Sequence, residues 1–335
     1  MKKVAVLGGN GFLGTHLCAR LKAEGYYVAA FGRHYPAYGF KPADVYNIQN
    51  LVVPFRFHDN FDEVYALAGE VGGLGYIQDS DNDAVVMHNS VQINLNVLEA
   101  VRKAGIPKVF FASSACVYPD LYQAANVEYD LVEHPPSSDG RTPEAAAYPA
   151  NPINAFGWEK LFAERLYDAY ARKHGIQVRI ARFGNTYGPY CAWQGDRAKV
   201  VASICRKVAQ VRYAEPIEAW GDGLQTRSFT YVDDAIEGIM RLMASDFAGP
   251  VNIGSSELVS IGALIDVVAA AAGKVVGVRY IEGPVGVQGR TSDNTLIQQK
   301  LGWEPRISLE EGIRKTYPWI KSMVDNAEIK DTITS

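Results

Sequence analysis

The chain has 335 residues, with 33 Lys and Arg against 37 Asp and Glu and a formal charge of −4. That balance excludes a strongly basic nucleic-acid binder, because phosphate contacts need clustered positive charge. With 48% hydrophobic and 21% charged residues, the composition is that of a globular protein and too apolar for disorder. The length allows a full core and a second lobe. Cys18, Cys116, Cys191 and Cys205 are too few and too scattered for a disulfide framework. No Cys-x-x-Cys or His-x-x-x-His pattern is present, so no metal site is expected. No apolar run reaches the roughly 18 residues that span a membrane. The apolar run Val4 to Leu7 stops at Gly8-Gly9, short of a secretory h-region, which makes the cytoplasm the expected compartment.

Strands and helices are expected to alternate along the first half. Val4 to Leu7 reads as a short buried strand. Leu13, Leu17 and Leu21, four apart, predict a helix that Gly25 ends. Tyr26 to Phe31 is a second strand, a third lies near Val45 or Val52-Val53, and Val64 to Leu67 is a fourth. A long helix is expected from Ala84 to Lys103, stopped by Gly105 and Pro107. Val109-Phe110-Phe111 forms a fifth strand ending at Ser113-Ser114. Residues 119–152, rich in Pro, Ser and Asp, read as a loop or lid. A helix from Ile153 to Lys173 and a sixth strand from Val178 to Ala181 follow.

Residues 184–230 are rich in Gly, Arg and aromatics. Beyond them come a helix (Ile261 to Ala272), a strand (Val278 to Ile281) and a terminal helix (Leu309 to Val324), with the last ten residues expected to fray. The pattern predicts an α/β fold, a Rossmann-type doubly wound parallel sheet with a smaller C-terminal α/β substrate lobe. The expected division is 1–183 for the dinucleotide-binding domain, its sheet completed by segments near 225–254, and 184–335 for the substrate lobe.

Between the first strand and first helix stands Gly8-Gly9-Asn10-Gly11-Phe12-Leu13-Gly14. Gly8, Gly11 and Gly14 suit a dinucleotide loop, in which glycines make the turn, admit the pyrophosphate and let helix pack on strand. The uncapped helix start, including Phe12 and Leu13, would face the phosphates. At the end of the second strand an acid would favour NAD by holding the ribose hydroxyls. Arg33 stands there instead. It can hold a 2′-phosphate, as in NADP, or stack on adenine, so NAD with NADP possible is the cofactor expectation.

Ser113-Ser114-Ala115-Cys116-Val117-Tyr118 follows the fifth strand, Phe156-Gly157-Trp158-Glu159-Lys160 opens a helix, and Asn185-Thr186-Tyr187-Gly188-Pro189 follows the sixth strand. Phe156 and Lys160 are one helical turn apart and share a face. These residues resemble those of extended short-chain dehydrogenase/reductases that act on nucleotide sugars, where Tyr-x-x-x-Lys stands at Phe156-x-x-x-Lys160. Gly72 to Gln78, Ala112 to Tyr118, Trp220 to Thr230, Gly289 to Asn294 and Leu301-Gly302-Trp303 are similar to the GDP-mannose 3,5-epimerase subgroup.

The resemblance implies a nucleotide-sugar epimerase that inverts C3 and C5 through a 4-keto intermediate, using a nicotinamide cofactor. It places Cys116 and Lys199 on opposite faces of the sugar ring as the proton-transferring pair. It puts Ser114 beside the C4 oxygen, Lys160 on the nicotinamide ribose, and Gly72 and Gly73 against the hexose. Asn185, Lys199, Arg227 and Arg290 then belong to substrate binding, the two arginines on a GDP-sugar's diphosphate. It also implies a homodimer. The pairing agrees with elementary chemistry: inversion needs a base on one face and an acid on the other. A thiol or an amine can serve if its surroundings lower its pKa. Cys18, Cys191 and Cys205 match no such role and read as packing residues.

Phe156 departs from the family pattern, keeping the ring and losing the acid–base hydroxyl. Three readings stay open. The tyrosine was exchanged in this chain, leaving a hydride transfer slowed by about 10²–10⁴-fold. Or the substrate arrives already as a 4-keto GDP-deoxysugar or heptose, and Cys116 and Lys199 suffice. Or the protein is a non-catalytic dinucleotide or nucleotide-sugar sensor.

Overall fold

The computed structural model describes residues 1–32, 45–46, 51, 55–57, 60–119, 141–211, 215–284, 286 and 289–334. Strand β1 (Lys3–Leu7) is buried from Val4 onward. Helix α1 (Phe12–Ala23) follows the glycine turn and buries Leu17, Cys18 and Leu21. Strands β2 (Tyr27–Phe31), β3 (Val45–Tyr46) and β4 (Glu63–Ala66) come next. The third strand thus falls at the first of its two expected places. After β4 come the short helix α2 (Leu74–Gln78), the long helix α3 (Asp83–Ala104) and strand β5 (Lys108–Ser114), then α4 (Ala155–His174) and β6 (Gln177–Phe183). Gly105 and Gly175, both with positive φ, end α3 and α4 as left-handed caps.

The second half supplies β7 (Asn185–Tyr187), α5 (Val200–Gln210), β8 (Pro216–Trp220), β9 (Thr226–Tyr231), α6 (Val232–Ala244) and β10 (Val251–Ile253). It closes with β11 (Leu258–Ser260), α7 (Ile261–Ala272), β12 (Gly277–Ile281), β13 (Gly289–Arg290), α8 (Thr295–Leu301) and α9 (Leu309–Thr334). The segment expected to fray is helical through Thr334, and among the described side chains of α9 the last buried apolar one is Val324. Residues there such as Ala327, Glu328 and Lys330 are good helix formers.

Among the described residues the main sheet has seven strands in the order β10-β6-β5-β4-β1-β2-β3, all parallel. Both faces are covered. Along β1, Val4 and Val6 join one apolar cluster with Leu17 and Leu21, while Ala5 and Leu7 join another with Ile93 and Tyr167. This is the period-two alternation of a strand buried on both sides. Helices α1 and α6 pack together, as do α3 and α4. The order reverses between β1 and β4, and at such a switch point a parallel sheet opens a crevice at its strand C-termini.

Strand β9 pairs with β7 and β13 in parallel and with β11 in antiparallel fashion. Strands β8 and β12 form a separate parallel pair. Helices α5, α7 and α9 pack on one another. Val201, Ile204, Leu264 and Ile313 of this region belong to the same apolar cluster as Val4 and Val6, so its helices share a core with the main sheet. Of the segments near 225–254, β10 extends the main sheet beside β6, whereas β9 lies in the smaller one. Among the described residues no helix is long and apolar enough to cross a membrane, and no group of three His, Cys, Asp or Glu is placed to hold a metal.

Candidate functional site

A cleft of about 1130 Å³ opens at the C-terminal ends of the central strands and runs along β7, α5 and β9. Gly8, Gly11, Phe12, Leu13, Gly14, Gly72, Gly73, Ser114, Cys116, Phe156, Lys160, Asn185, Lys199 and Arg227 all line it. Arg33 lies outside the described residues. Arg290 is described through its backbone, which pairs with that of Arg227 on the neighbouring strand.

The glycine end is built from backbone. Gly8 has φ +85°, and the N–H groups of Gly8 and Gly9 donate to the Phe31 carbonyl at 2.7 and 3.0 Å. A Cβ on Gly14 would lie 2.0 Å from the Gly8 carbonyl oxygen, and one on Gly8 would lie 3.0 Å from the Ala68 backbone nitrogen. The chain therefore turns and packs too closely for side chains. Gly11 caps α1 without any side-chain acceptor, and no acid sits in the first turn. The N–H groups there face the cleft unneutralised, as a pyrophosphate requires. The residues present fit a dinucleotide.

Strand β5 delivers Ser114 to the cleft, and the turn after it delivers Cys116. The Ser114 Oγ accepts from the Cys116 backbone N–H at 3.1 Å, which fixes the thiol's backbone. Gly157 lets α4 approach: a Cβ there would lie 2.2 Å from the Cys116 carbonyl oxygen. Phe156 is buried. The Lys160 Nζ lies 5.5 Å from its ring centroid and 5.1 Å from that of Phe111.

Lys160 is itself buried, and its anionic neighbour is Glu159 Oε2 at 3.7 Å. Asn94 donates to the other Glu159 oxygen at 2.8 Å. Burial raises the Glu159 carboxyl above its ordinary pKa, and the Lys160 charge and the Asn94 hydrogen bond pull the other way. Lys160 lines the cleft one helical turn after Phe156.

Lys199 stands immediately before α5, and its carbonyl accepts from the Ser203 N–H. Its side chain lines the cleft and is open to solvent there. Desolvation by the surrounding atoms lowers its pKa, and the Cys116 and Cys191 thiols act in the opposite sense. Cys116 and Lys199 are thereby brought within electrostatic reach. Arg227 projects from β9 and donates to the Thr226 carbonyl at 2.7 Å. Asn185 donates to the Ser228 carbonyl at 3.2 Å. Gly73 has a reason beyond ligand approach: a Cβ on it would lie 2.4 Å from the Ala198 carbonyl oxygen.

Several cleft residues escape sequence reasoning. Cys191 lines the cleft near Lys199, its thiol pushed up to about 11 by burial, whereas Cys18 and Cys205 are core residues. Gln225 is buried against the cleft with its Oε1 unpartnered. The Oε1 is a free acceptor, and a buried acceptor left unmatched calls for a partner. Arg197, which lines the cleft, meets Glu70 and Tyr76. Helix α5 carried a readable signal in the apolar spacing of Val201, Ile204, Cys205 and Val208; Arg197 and Glu70 carried none.

Comparison with known proteins agrees with this geometry. The model of the NAD dependent epimerase/dehydratase family matches residues 4–254. A GDP-mannose 3,5-epimerase of Arabidopsis thaliana is 42% identical over 99% of this chain and 86% of its own length. GDP-mannose 3,5-epimerase 1 of Oryza sativa subsp. indica is 41% identical over 96% of this chain and 82% of its own. A UDP-glucose 4-epimerase structure from Thermotoga maritima shares the fold, with a TM-score of 0.78 at 24% identity, over 96% of this chain and 99% of the other. The glycine turn at a parallel-sheet switch point, the Lys160 position and these matches place the chain in the NAD dependent epimerase/dehydratase family of extended short-chain dehydrogenase/reductases.

Proposed function

We propose that the protein is a GDP-sugar 3,5-epimerase that inverts C3 and C5 through a 4-ketone, with its hydride step slowed by Phe156. The observation that carries this reading is the meeting of Cys116 and Lys199 in one cleft, beside Ser114 and the Phe156–Lys160 turn. The names of the Arabidopsis and rice relatives support GDP-mannose as the substrate.

A bound nicotinamide cofactor supplies reversible hydride acceptance at sugar C4. The α1 N–H groups hold its pyrophosphate and Lys160 its ribose. Ser114 donates to the C4 oxygen, its hydroxyl serving as donor while its lone pairs accept from Cys116 N–H. A C4 ketone acidifies the hydrogens at C3 and C5. Cys116 and Lys199 then take and return protons on opposite faces. The lowered pKa of Lys199 makes its neutral, basic form available closer to neutral pH. Arg227 and Arg290 bind the diphosphate through bidentate hydrogen bonds, and Asn185 supports its phosphate side. Phe156 has no proton to exchange with the C4 hydroxyl, which slows entry to the ketone by about 10²–10⁴-fold.

The buried Phe156 ring also favours a second reading, a substrate that arrives as a 4-keto GDP-deoxysugar or heptose. In both readings the protein is a homodimer. Trp158 and Phe162, one turn apart on α4, and Val85 and Met87 on α3 support this by exposing apolar side chains on the paired helices.

The test is incubation in D₂O with GDP-mannose, for the protein and for Phe156→Tyr, following deuterium at C3 and C5. Uptake in the tyrosine version alone supports the first reading. Uptake from a 4-keto GDP-sugar in the unaltered protein supports the second. Nucleotide-sugar binding without uptake in any combination overturns both and leaves a sensor.

A further inference from the structure

The residues before Lys199 cross from the substrate lobe to the loop after β4. Two residues upstream, Arg197 donates to Glu70 Oε1 at 2.5 Å and to the Val71 carbonyl at 3.2 Å. Its guanidinium lies 4.6 Å from the Tyr76 ring centroid, and Tyr76 Oη lies 3.4 Å from the same Glu70 oxygen. Arg197 is half exposed, but Glu70 is 3% exposed, and its backbone N–H donates to the buried Ser90 Oγ of α3 at 3.0 Å. An exposed ion pair contributes little. A buried carboxylate backed by a long helix is a fixed anchor, and an arginine laid on it across two acceptors and a ring is held in orientation.

Immediately before Lys199, the Ala198 carbonyl packs on Gly73 too closely for a Cβ. Immediately after it, α5 begins. The Lys199 backbone is thus bracketed by a clasp to one lobe and a helix rooted in the other. A lysine side chain has four rotatable bonds, so a proton-transferring amine needs a fixed base from which to reach the ring.

From this we infer that Arg197 and Glu70 are positioning residues that clasp the Lys199 segment to the cofactor lobe and set where its amine meets the sugar. The inference rests on the epimerase reading for its chemistry and on the clasp geometry for its placement. Neither residue touches the reacting carbons in this account; both act through Lys199.

The clasp can be tested with and without turnover. Without turnover, Lys199 in the full-length protein is acetylated with acetic anhydride across a pH series. Its modification is read by mass on the peptide that carries it, with exposed Lys22 as an internal reference. Cys116 on the turn after β5 and Cys191 on the same segment are the titratable groups whose charges reach the amine. Arg197→Ala should raise the Lys199 titration midpoint, and Arg197→Lys should raise it less. Glu70→Gln strands no buried charge, so it keeps the test available if Arg197→Ala fails to fold, and it should shift the midpoint in the same direction.

With turnover, deuterium exchange at C3 and C5 in the Phe156→Tyr background should fall about 10–100-fold in kcat for Arg197→Ala, with KM within about 3-fold. An unchanged midpoint in both Arg197→Ala and Glu70→Gln overturns the clasp, as does a loss confined to KM. Absence of exchange in the Phe156→Tyr parent itself counts against the epimerase reading, and the acetylation profile then still decides the clasp.

Discussion

The two ends of the cleft are made differently. The cofactor end is backbone: Gly14 and the positive-φ Gly8 leave no room for side chains, and the groups offered to a ligand are peptide N–H donors at the start of α1. The other end is side chain: Ser114 comes from β5, Cys116 from the turn after it, Phe156 from α4, Lys199 from the residue before α5 and Arg227 from β9. At the first end the damage comes from added atoms. At the second, a changed functional group alters rate while the fold stands.

Phe156→Tyr tests the second half of this contrast most strongly. It should raise the rate of deuterium exchange from GDP-mannose by about 10²–10⁴-fold, with the thermal midpoint nearly unchanged. Equal rates for the two proteins would mean that the ring position is not where the C4 proton leaves. In the tyrosine version the proposed mechanism has exchange rise with pH, because an amine accepts a proton only when neutral. The midpoint of that limb should lie below the 10.5 of an ordinary lysine, since burial lowers it.

Gly14→Ala probes the backbone-built end. Its Cβ would meet the Gly8 carbonyl oxygen at 2.0 Å, and overpacking of this kind costs about 1–3 kcal/mol. Calorimetric titration with NAD should show binding weakened by about 10–100-fold. Binding as tight as in the parent would break the contrast.

Between the two ends lies the buried pair Glu159–Lys160. Asn94→Leu removes the donor to Glu159 Oε1 and leaves a buried carboxylate oxygen unmatched, which costs about 1–3 kcal/mol. Urea unfolding should show that loss in the midpoint. At the far surface, Lys321→Ala breaks an exposed i,i+4 pair with Asp325 and should change stability by less than about 1 kcal/mol.

The contrast also explains what the sequence revealed. Strand periodicity and the glycine triplet are local signals, and they locate β1, α1, β2 and the cofactor turn within a residue or two. Cys116 and Lys160 follow from short motifs next to recognisable elements. The clasp is of another kind: Glu70 and Arg197 are 127 residues apart, and neither lies in a pattern with a chemical meaning of its own. Gly73 was read as a glycine against the hexose, and the packing of the Ala198 carbonyl on it, a contact across 125 residues, left no trace in the local pattern. Arg33, on which the choice between NAD and NADP turns, is a sequence reading alone.

The central claim is that Cys116 and Lys199 carry the proton transfers. In the Phe156→Tyr background, Cys116→Ala and Lys199→Met should each be incubated with GDP-mannose in D₂O and the sugar examined for deuterium at C3 and C5. The account predicts that each replacement cuts formation of inverted, deuterated sugar by at least about 10²-fold while GDP-mannose still binds. Inversion at the parent rate with either residue replaced would contradict it.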